Sequence, residues 1–493
     1  MSDDAAPRVL LVADAVITRA DADVACGAAV LVENGQVVGV GPRDVLRRAA
    51  PLATVRELPG RILLPGFVDA HSHLRGLPTA AHDIADAPLE RWVVRLAAMA
   101  PVDPAADALV AAVDALRTGV TTAQVIHHSF ADATGYLDGV RAATSALVTA
   151  GLSAELIIAF TDQAEFVPTS VDAHLDDSQR RWLVPDRGIG ADEVDAVVDA
   201  AATILDAAAG PGASHLRLGV GPVGPQWASD ALLATIARHA GATRRVHTHA
   251  VETRAQRCWG PDSPIDRLAR HGLLAAITSL AHGVHLTDAE AALLASHEVA
   301  IASCPTSNRR VSDGTGDVVG WLAAGIPVAL GIDSVGHPTH PDAFAELRAL
   351  QDAARHRGHH LDARTALSVA TIGGARAVGR AEGIGAIEPG RRADIVAVRV
   401  PAGWRDGSVP DLIEALVATT TRDDVTDVLA GGRPVVTDGR HRAEDEVARA
   451  RASLAATLRA TAAERAERRA RLAAIEPLVE RIRRERTRAA DAT

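Results

Sequence analysis

Two histidines one residue apart, His71 and His73, end the run Leu63-Leu64-Pro65-Gly66-Phe67-Val68-Asp69-Ala70-His71-Ser72-His73. In extended backbone, residues i and i+2 share a face, so both imidazoles can be aimed at one point, where neutral imidazole suits a divalent metal. Alone, such a pair is a weak sign. Further groups of the right kind recur downstream: His247-Thr248-His249 with Glu252, His282 in Ala281-His282-Gly283, and Asp333 in Gly331-Ile332-Asp333-Ser334. Each follows a short apolar run. His71, His73, one of His247 and His249, and Asp333 can hold one divalent ion and leave a position for water, with His282 and Glu252 free to move protons. Any one of them taken singly reads better as a satisfied core histidine or a capping acid; their joint placement carries the argument.

The elements that must position them follow from the pattern of apolar residues. Between 62 and 380, strand-like runs near 62–68, 119–128, 154–160, 215–221, 244–249, 277–282, 298–303 and 326–333 alternate with Ala/Leu-rich helical stretches such as 104–117, 191–208, 229–240 and 288–296. Eight such units predict an α/β chain built on a (β/α)8 TIM barrel, with the chemical groups at the C-terminal strand ends where barrel sites lie. Short β runs fill residues 8–60, with a hairpin signal at Asn34-Gly35, and the β pattern returns after 380. Residues 1–61 and 381–440 are therefore expected to form a composite β-sandwich domain, 62–380 the barrel, and 441–493 a helical tail interrupted at Pro477.

Composition narrows the chemistry. The 493 residues carry a net charge of -11, which disfavours a nucleic-acid surface. Three distant cysteines and the absence of a leader-like or membrane-length apolar run predict a reducing, cytoplasmic setting with no membrane partner. Gly219-x-Gly221-x-x-Gly224 formally matches a dinucleotide fingerprint, but Pro222 and Pro225 flank its last glycine, and it reads as barrel backbone. His297-Glu298 lacks the second histidine of a zinc-protease helix, and no Cys-x-x-Cys exists to make a nucleobase-deaminase zinc site.

Taken together, Pro65 to His73, His247 to Glu252, His282 and Gly331 to Ser334 resemble the amidohydrolase superfamily, in its mononuclear deaminase and chlorohydrolase branch. Pro305-Thr306-Ser307-Asn308 and Glu388 to Asp394 look like segments common there. The resemblance implies that His71, His73, His249 and Asp333 are the ligands, that Glu252 shuttles protons, that His282 meets the reacting centre, and that His247 is not a ligand. The chain contains no lysine, so it cannot supply the carboxylated lysine that bridges two metals in many binuclear relatives, and one metal is expected, zinc first and iron second. The expected reaction is hydrolytic deamination of a small aminated N-heterocycle such as a purine, pyrimidine or triazine, with ammonia released. The alternatives are attack on a cyclic amide, formimino or carbon–halogen bond at the same site, or a barrel that only binds. Substrate contacts are expected from Gln226, Trp227, His128 and Gln163, with His127, Asp162, His337 and His340 near the rim. A homo-oligomer, a dimer, is expected from the resemblance and the long tail.

Overall fold

The alternating runs build the expected parallel sheet. A computed structural model describes residues 8–491 apart from 129–132, 164–176, 178–188, 210–214, 276, 334–339 and 405–410. Its eight parallel strands are Phe67–Ser72, Val120–His127, Ser153–Phe160, Leu216–Pro222, Val246–Ala250, Thr278–His282, Ala300–Ser303 and Val328–Leu330, each paired with its sequence neighbour. The seam between the last and the first is drawn together by Asp333 N–H donating to His71 O at 2.9 Å and by Ile332 N–H donating to the Asp69 carboxylate at 2.9 Å. Helices such as Pro104–Arg117, Val194–Ala209, Asp230–Ala240 and Asp288–Ser296 lie between the strands, close to the stretches expected.

The glycines of the discounted fingerprint have a packing reason. Gly219 and Gly221 sit in the fourth strand, and a Cβ on Gly221 would come within 1.9 Å of His247 O on the fifth. Backbone proximity requires glycine there.

The apolar run 62–68 is not one barrel strand. Its first part ends the long strand Thr54–Pro65, which belongs to the second sheet, and the barrel begins only at Phe67. Pro65-Gly66 is the crossing point between the two sheets. That second sheet has nine strands, all pairing antiparallel except Val9–Val16 with Thr54–Pro65. Asn34 and Gly35 both take positive φ, 54° and 76°, in the two-residue turn between Ala28–Glu33 and Gln36–Pro42. Ile395–Arg399 pairs with Thr54–Pro65 and so joins the C-terminal β segment to the N-terminal one. The composite β domain is one continuous sheet packed on a shared core of Leu11, Val30, Val32, Leu63, Ile395 and Leu429.

Three helices, Glu444–Ala460, Ala462–Ala473 and Glu476–Asp491, form the tail. The break precedes Pro477, which sits in the first turn of the last helix, where its missing N–H costs nothing. Leu472, Ile475, Val479 and Ile482 bury against Val94 and Ala98 of the helical segment that follows the first barrel strand.

Candidate active site

His71 and His73 leave the end of the first barrel strand, His249 lies in the fifth, His282 ends the sixth, and Asp333 follows the eighth. His71, His73 and His249 place ligand atoms within 4.8 Å of one another. His73 Nε2 is 3.3 Å from His249 Nε2 and 3.5 Å from Asp333 Oδ1, and His71 Nε2 is 3.7 Å from that same oxygen. These atoms are too far apart to bond well to one another and close enough to share an ion.

The protons can be assigned from what surrounds the rings. Val223 O can only accept, so His249 Nδ1 donates to it at 2.7 Å and Nε2 offers its lone pair. Ser279 O likewise takes the Nδ1 proton of His247 at 3.1 Å, and His247 Nε2 then accepts from His71 Nδ1 at 2.9 Å. His71 Nε2 is left with a lone pair, buried and with no hydrogen-bond partner among the described residues. A buried acceptor without a donor is costly, and a cation in this cradle would satisfy it. The residues fit a divalent metal. Burial, reinforced by the neighbouring imidazoles, keeps His71 neutral, and burial pushes His73 down to about 3. Burial opposes ionisation of Asp333, but His73, His282 and the Ser307 hydroxyl outweigh it and hold the carboxyl below its usual range. Neutral imidazoles and a carboxylate are the forms that ligate metals.

The strand ends are strained. Leu74, Val251, His282 and Asp333 have φ of 52°, 43°, 72° and 51°, in the left-handed region that non-glycine residues avoid. Such residues cost about 1–3 kcal/mol each and persist where surrounding structure over-determines them. Here they turn four strand ends over one point.

His282 Nδ1 donates to Asn308 Oδ1 at 2.8 Å, which turns its Nε2 to within 3.7 Å of Glu252 Oε1. Asn308 comes from the short helix Pro305–Arg310 after the seventh strand. Glu252 is fixed from behind by its own N–H, which donates to Gln256 Oε1 at 2.8 Å. Asp313 lies buried beside it; desolvation and then the Glu252 charge push its carboxyl well up. Neither Asn308 as the orienting group for His282 nor Asp313 was singled out from the sequence, since both depend on how loops fold back over the mouth. Cys304, buried at the start of that same helix, brings its sulfur within 4.8 Å of His71 and His282 ligand atoms.

The expected substrate contacts divide. Gln226 and Trp227 form a buried one-turn helix after the fourth strand, and both amide atoms of Gln226 and the indole Nε1 lack hydrogen-bond partners among the described residues. Trp227 packs with Ile126, Ile157, Ala159 and Val223, and Val223 is the residue that orients His249. His128 faces His73 with ring centroids 5.5 Å apart. Gln163 stands exposed at the end of the third strand, and Asp162 is taken up by Ser229, whose N–H donates to it at 2.7 Å. His127 is engaged with Tyr136, edge to face at 4.9 Å, and His340 pairs with Asp114 at 3.2 Å. His337 lies outside the described residues.

Known proteins resemble this chain in sequence and in fold. A 5-methylthioadenosine/S-adenosylhomocysteine deaminase of Moorella thermoacetica is 27% identical over 457 residues, 88% of this chain and 96% of its own length. One of the same name from Teredinibacter turnerae is 31% identical over 378 residues, 70% of this chain and 74% of its own. Among solved structures, atrazine chlorohydrolase from Arthrobacter aurescens complexed with zinc matches with a TM-score of 0.74 at 25% identity, covering 90% of this chain and 100% of that one. The sequence profile of the Amidohydrolase family spans residues 62–435, from the crossing at Pro65-Gly66 to the last strands of the composite sheet, and the chain belongs to that family.

Proposed function

We propose that this chain is a metal-dependent hydrolase that deaminates a small aminated N-heterocycle and releases ammonia, with one divalent ion, zinc before iron, held by His71, His73, His249 and Asp333. The observation that supports it most directly is the cradle of neutral imidazoles and one carboxylate with Glu252 and His282 3.7 Å apart beside it. A divalent ion bound there would lower the pKa of a water and so make hydroxide available at neutral pH. Asp333 or His282 takes a proton as the nucleophile forms. Glu252 delivers a proton to a ring nitrogen, which makes the ring carbon electrophilic; the proton taken by Asp333 or His282 passes to the amine, which leaves as ammonia, and the new hydroxyl returns a proton to Glu252 as the carbonyl forms. An amidine-like C–NH2 within a ring offers both the carbon and the nitrogen; an ester or phosphate offers no such nitrogen. Gln226 supplies a donor and an acceptor for the heterocycle edge, with Trp227 next to it in sequence and His128 facing His73.

The relatives named as methylthioadenosine deaminases make purines the first compounds to test. A metal-loaded enzyme should release ammonia from at least one member of a panel of purine, pyrimidine, pterin and triazine amines. Likeness to a chlorohydrolase keeps one second reading open, loss of halide at the same carbon. Halide release without ammonia from any amine would replace the deaminase reading with it. Elemental analysis should give one tightly held metal per chain; two would overturn the mononuclear assignment. Among the described residues no helix is long and apolar enough to cross a membrane. A cytoplasmic dimer is part of this proposal, and light scattering that returns a monomer at working concentration would reject the dimer.

A further inference from the structure

Trp259 belongs to no motif read from the sequence. It sits seven residues past Glu252, on the loop after the fifth barrel strand, and is partly exposed. Its indole meets Trp227 edge to face, with centroids 6.1 Å apart and planes at 89°. Trp227 is the more buried of the two, and through Val223 it adjoins His249. The two indoles therefore make a right-angled corner, its inner wall the buried Trp227, which Val223 separates from His249, and its outer wall the partly exposed Trp259.

The inner wall carries the unpartnered Nε1 of Trp227 beside the unpartnered amide of Gln226. Those groups suit the polar edge of the reacting ring. The outer wall then meets whatever the ring carries on its far side.

The loop bearing Trp259 has little regular structure of its own, only the single turn Arg254–Arg257. The last helix of the chain holds it. The Arg486 guanidinium lies 4.2 Å from the centre of the Trp259 ring, and its Nη1 donates to Cys258 O at 3.1 Å. A planar guanidinium over an indole face is attracted by the ring quadrupole and fixes its tilt. That helix is itself anchored to the mouth at both ends. Glu476 accepts from Arg95 at 2.7 Å and from Arg91 at 3.1 Å, and Asp491 pairs with Arg254. A contact made from 227 positions down the chain thus fixes the indole that meets Trp227.

We propose that Trp259 is a specificity-determining residue for the substituent carried by the heterocycle, and that Arg486 of the C-terminal helix is the positioning residue that sets it. The inference rests on the deaminase reading and names which part of the substrate this corner recognises. Because Arg486 covers one indole face and Trp227 takes an edge contact, the surface left to a ligand is apolar. The favoured substrates are heterocyclic amines bearing an uncharged N-linked substituent, over the bare bases.

The test compares a bare heterocyclic amine, adenine, with its N-ribosyl derivative, adenosine, on the metal-loaded full-length enzyme. Arg486→Ala should raise KM for adenosine roughly threefold to tenfold relative to its effect on adenine, with kcat for either compound changing less. Trp259→Ala should do at least as much, and the double variant should be no worse than Trp259→Ala alone, because Arg486 acts through the indole. Additive effects, or equal losses for both compounds, would overturn the inference. Trp259→Phe keeps an apolar ring and guards against misfolding; it should show a smaller shift in the same sense. Calorimetric binding of the two compounds separates this inference from the reading it rests on. Binding without ammonia release, with the adenosine preference lost in Trp259→Ala and only reduced in Trp259→Phe, sinks the deaminase reading and keeps the corner. Equal affinity of the wild type for both, or binding of neither, sinks the corner.

Discussion

His247 separates a ligand from its support. Both of its nitrogens are engaged, one donating to Ser279 O and the other accepting from His71, so it has no lone pair to give a metal. What it does is hold the tautomer that points the free nitrogen of His71 inward. Replacing such a partner typically costs 10–100-fold in metal affinity, so His247→Asn should keep its metal but lose it to a competing chelator at about that lower level. His71→Asn should fail to hold it at all; equal retention in the two variants would reverse their roles. From spacing alone either His247 or His249 can serve as the ligand, because both end one strand on one face; the proposal takes His249, whose Nε2 keeps its lone pair, and the hydrogen bonds of His247 support that choice. For the proton-carrying groups, Glu252→Gln should keep fold and metal and lose roughly 10²–10⁴ in kcat. Near-normal turnover would return Glu252 to a structural role. His282→Asn should also cut turnover with the metal retained, since its second nitrogen is spent on Asn308.

At the scale of elements, the strand ends were legible and the loops that cover them were not. Seven of the eight barrel strands lie close to their expected ranges because buried parallel strands are short apolar runs bounded by turn residues. The first was misjudged, since hydrophobicity is the same on both sides of Pro65-Gly66 while the hydrogen-bond partners change sheet. Asn308, Asp313 and Trp259 carry no periodic signal, so only the folded loops bring them to the site. The segment between the first strand and the helix Pro104–Arg117 is one such cover, and His82 pins it. His82 Nδ1 accepts from Ala100 N–H at 3.1 Å, Nε2 is buried without a partner, and burial followed by the Arg465 and Arg75 charges pushes the ring down to about 4. An unfolded histidine titrates near 6.5. As pH falls from about 6.5 toward 4, the unfolded chain therefore gains a proton that the folded one resists, and this stability is lost with acid at up to about 1.4 kcal/mol per unit. His82→Gln cannot titrate, so its melting temperature should fall less than that of the wild type between pH 7 and 5. Parallel declines would show that His82 is not the group responsible.

Across the whole molecule, the chain's end returns to the mouth of its barrel. The β segment after residue 380 completes a sheet begun before residue 61, and the tail continues over the cover segment. Arg465 donates to Asp83 at 2.9 Å beside His82, and Glu476 joins Arg91 and Arg95 eight and twelve residues further along that cover. The sequence pattern allowed the tail either to pack on its own barrel or to cover a neighbour. The apolar stripe Leu472, Ile475, Val479 and Ile482 is satisfied within the chain by Val94 and Ala98, so assembly does not need it. Ending the chain at Ile475 should then uncover Val94 and remove the acceptor shared by Arg91 and Arg95. The expected outcome is a melting temperature lower by several degrees, since a loss of about 1–3 kcal/mol shifts a chain of this size by a few degrees per kcal/mol. The mass measured by light scattering should keep the same number of chains per particle as the full-length protein. A truncated chain that melts normally but loses a partner would move the helix from the roof of its own site to an interface between copies.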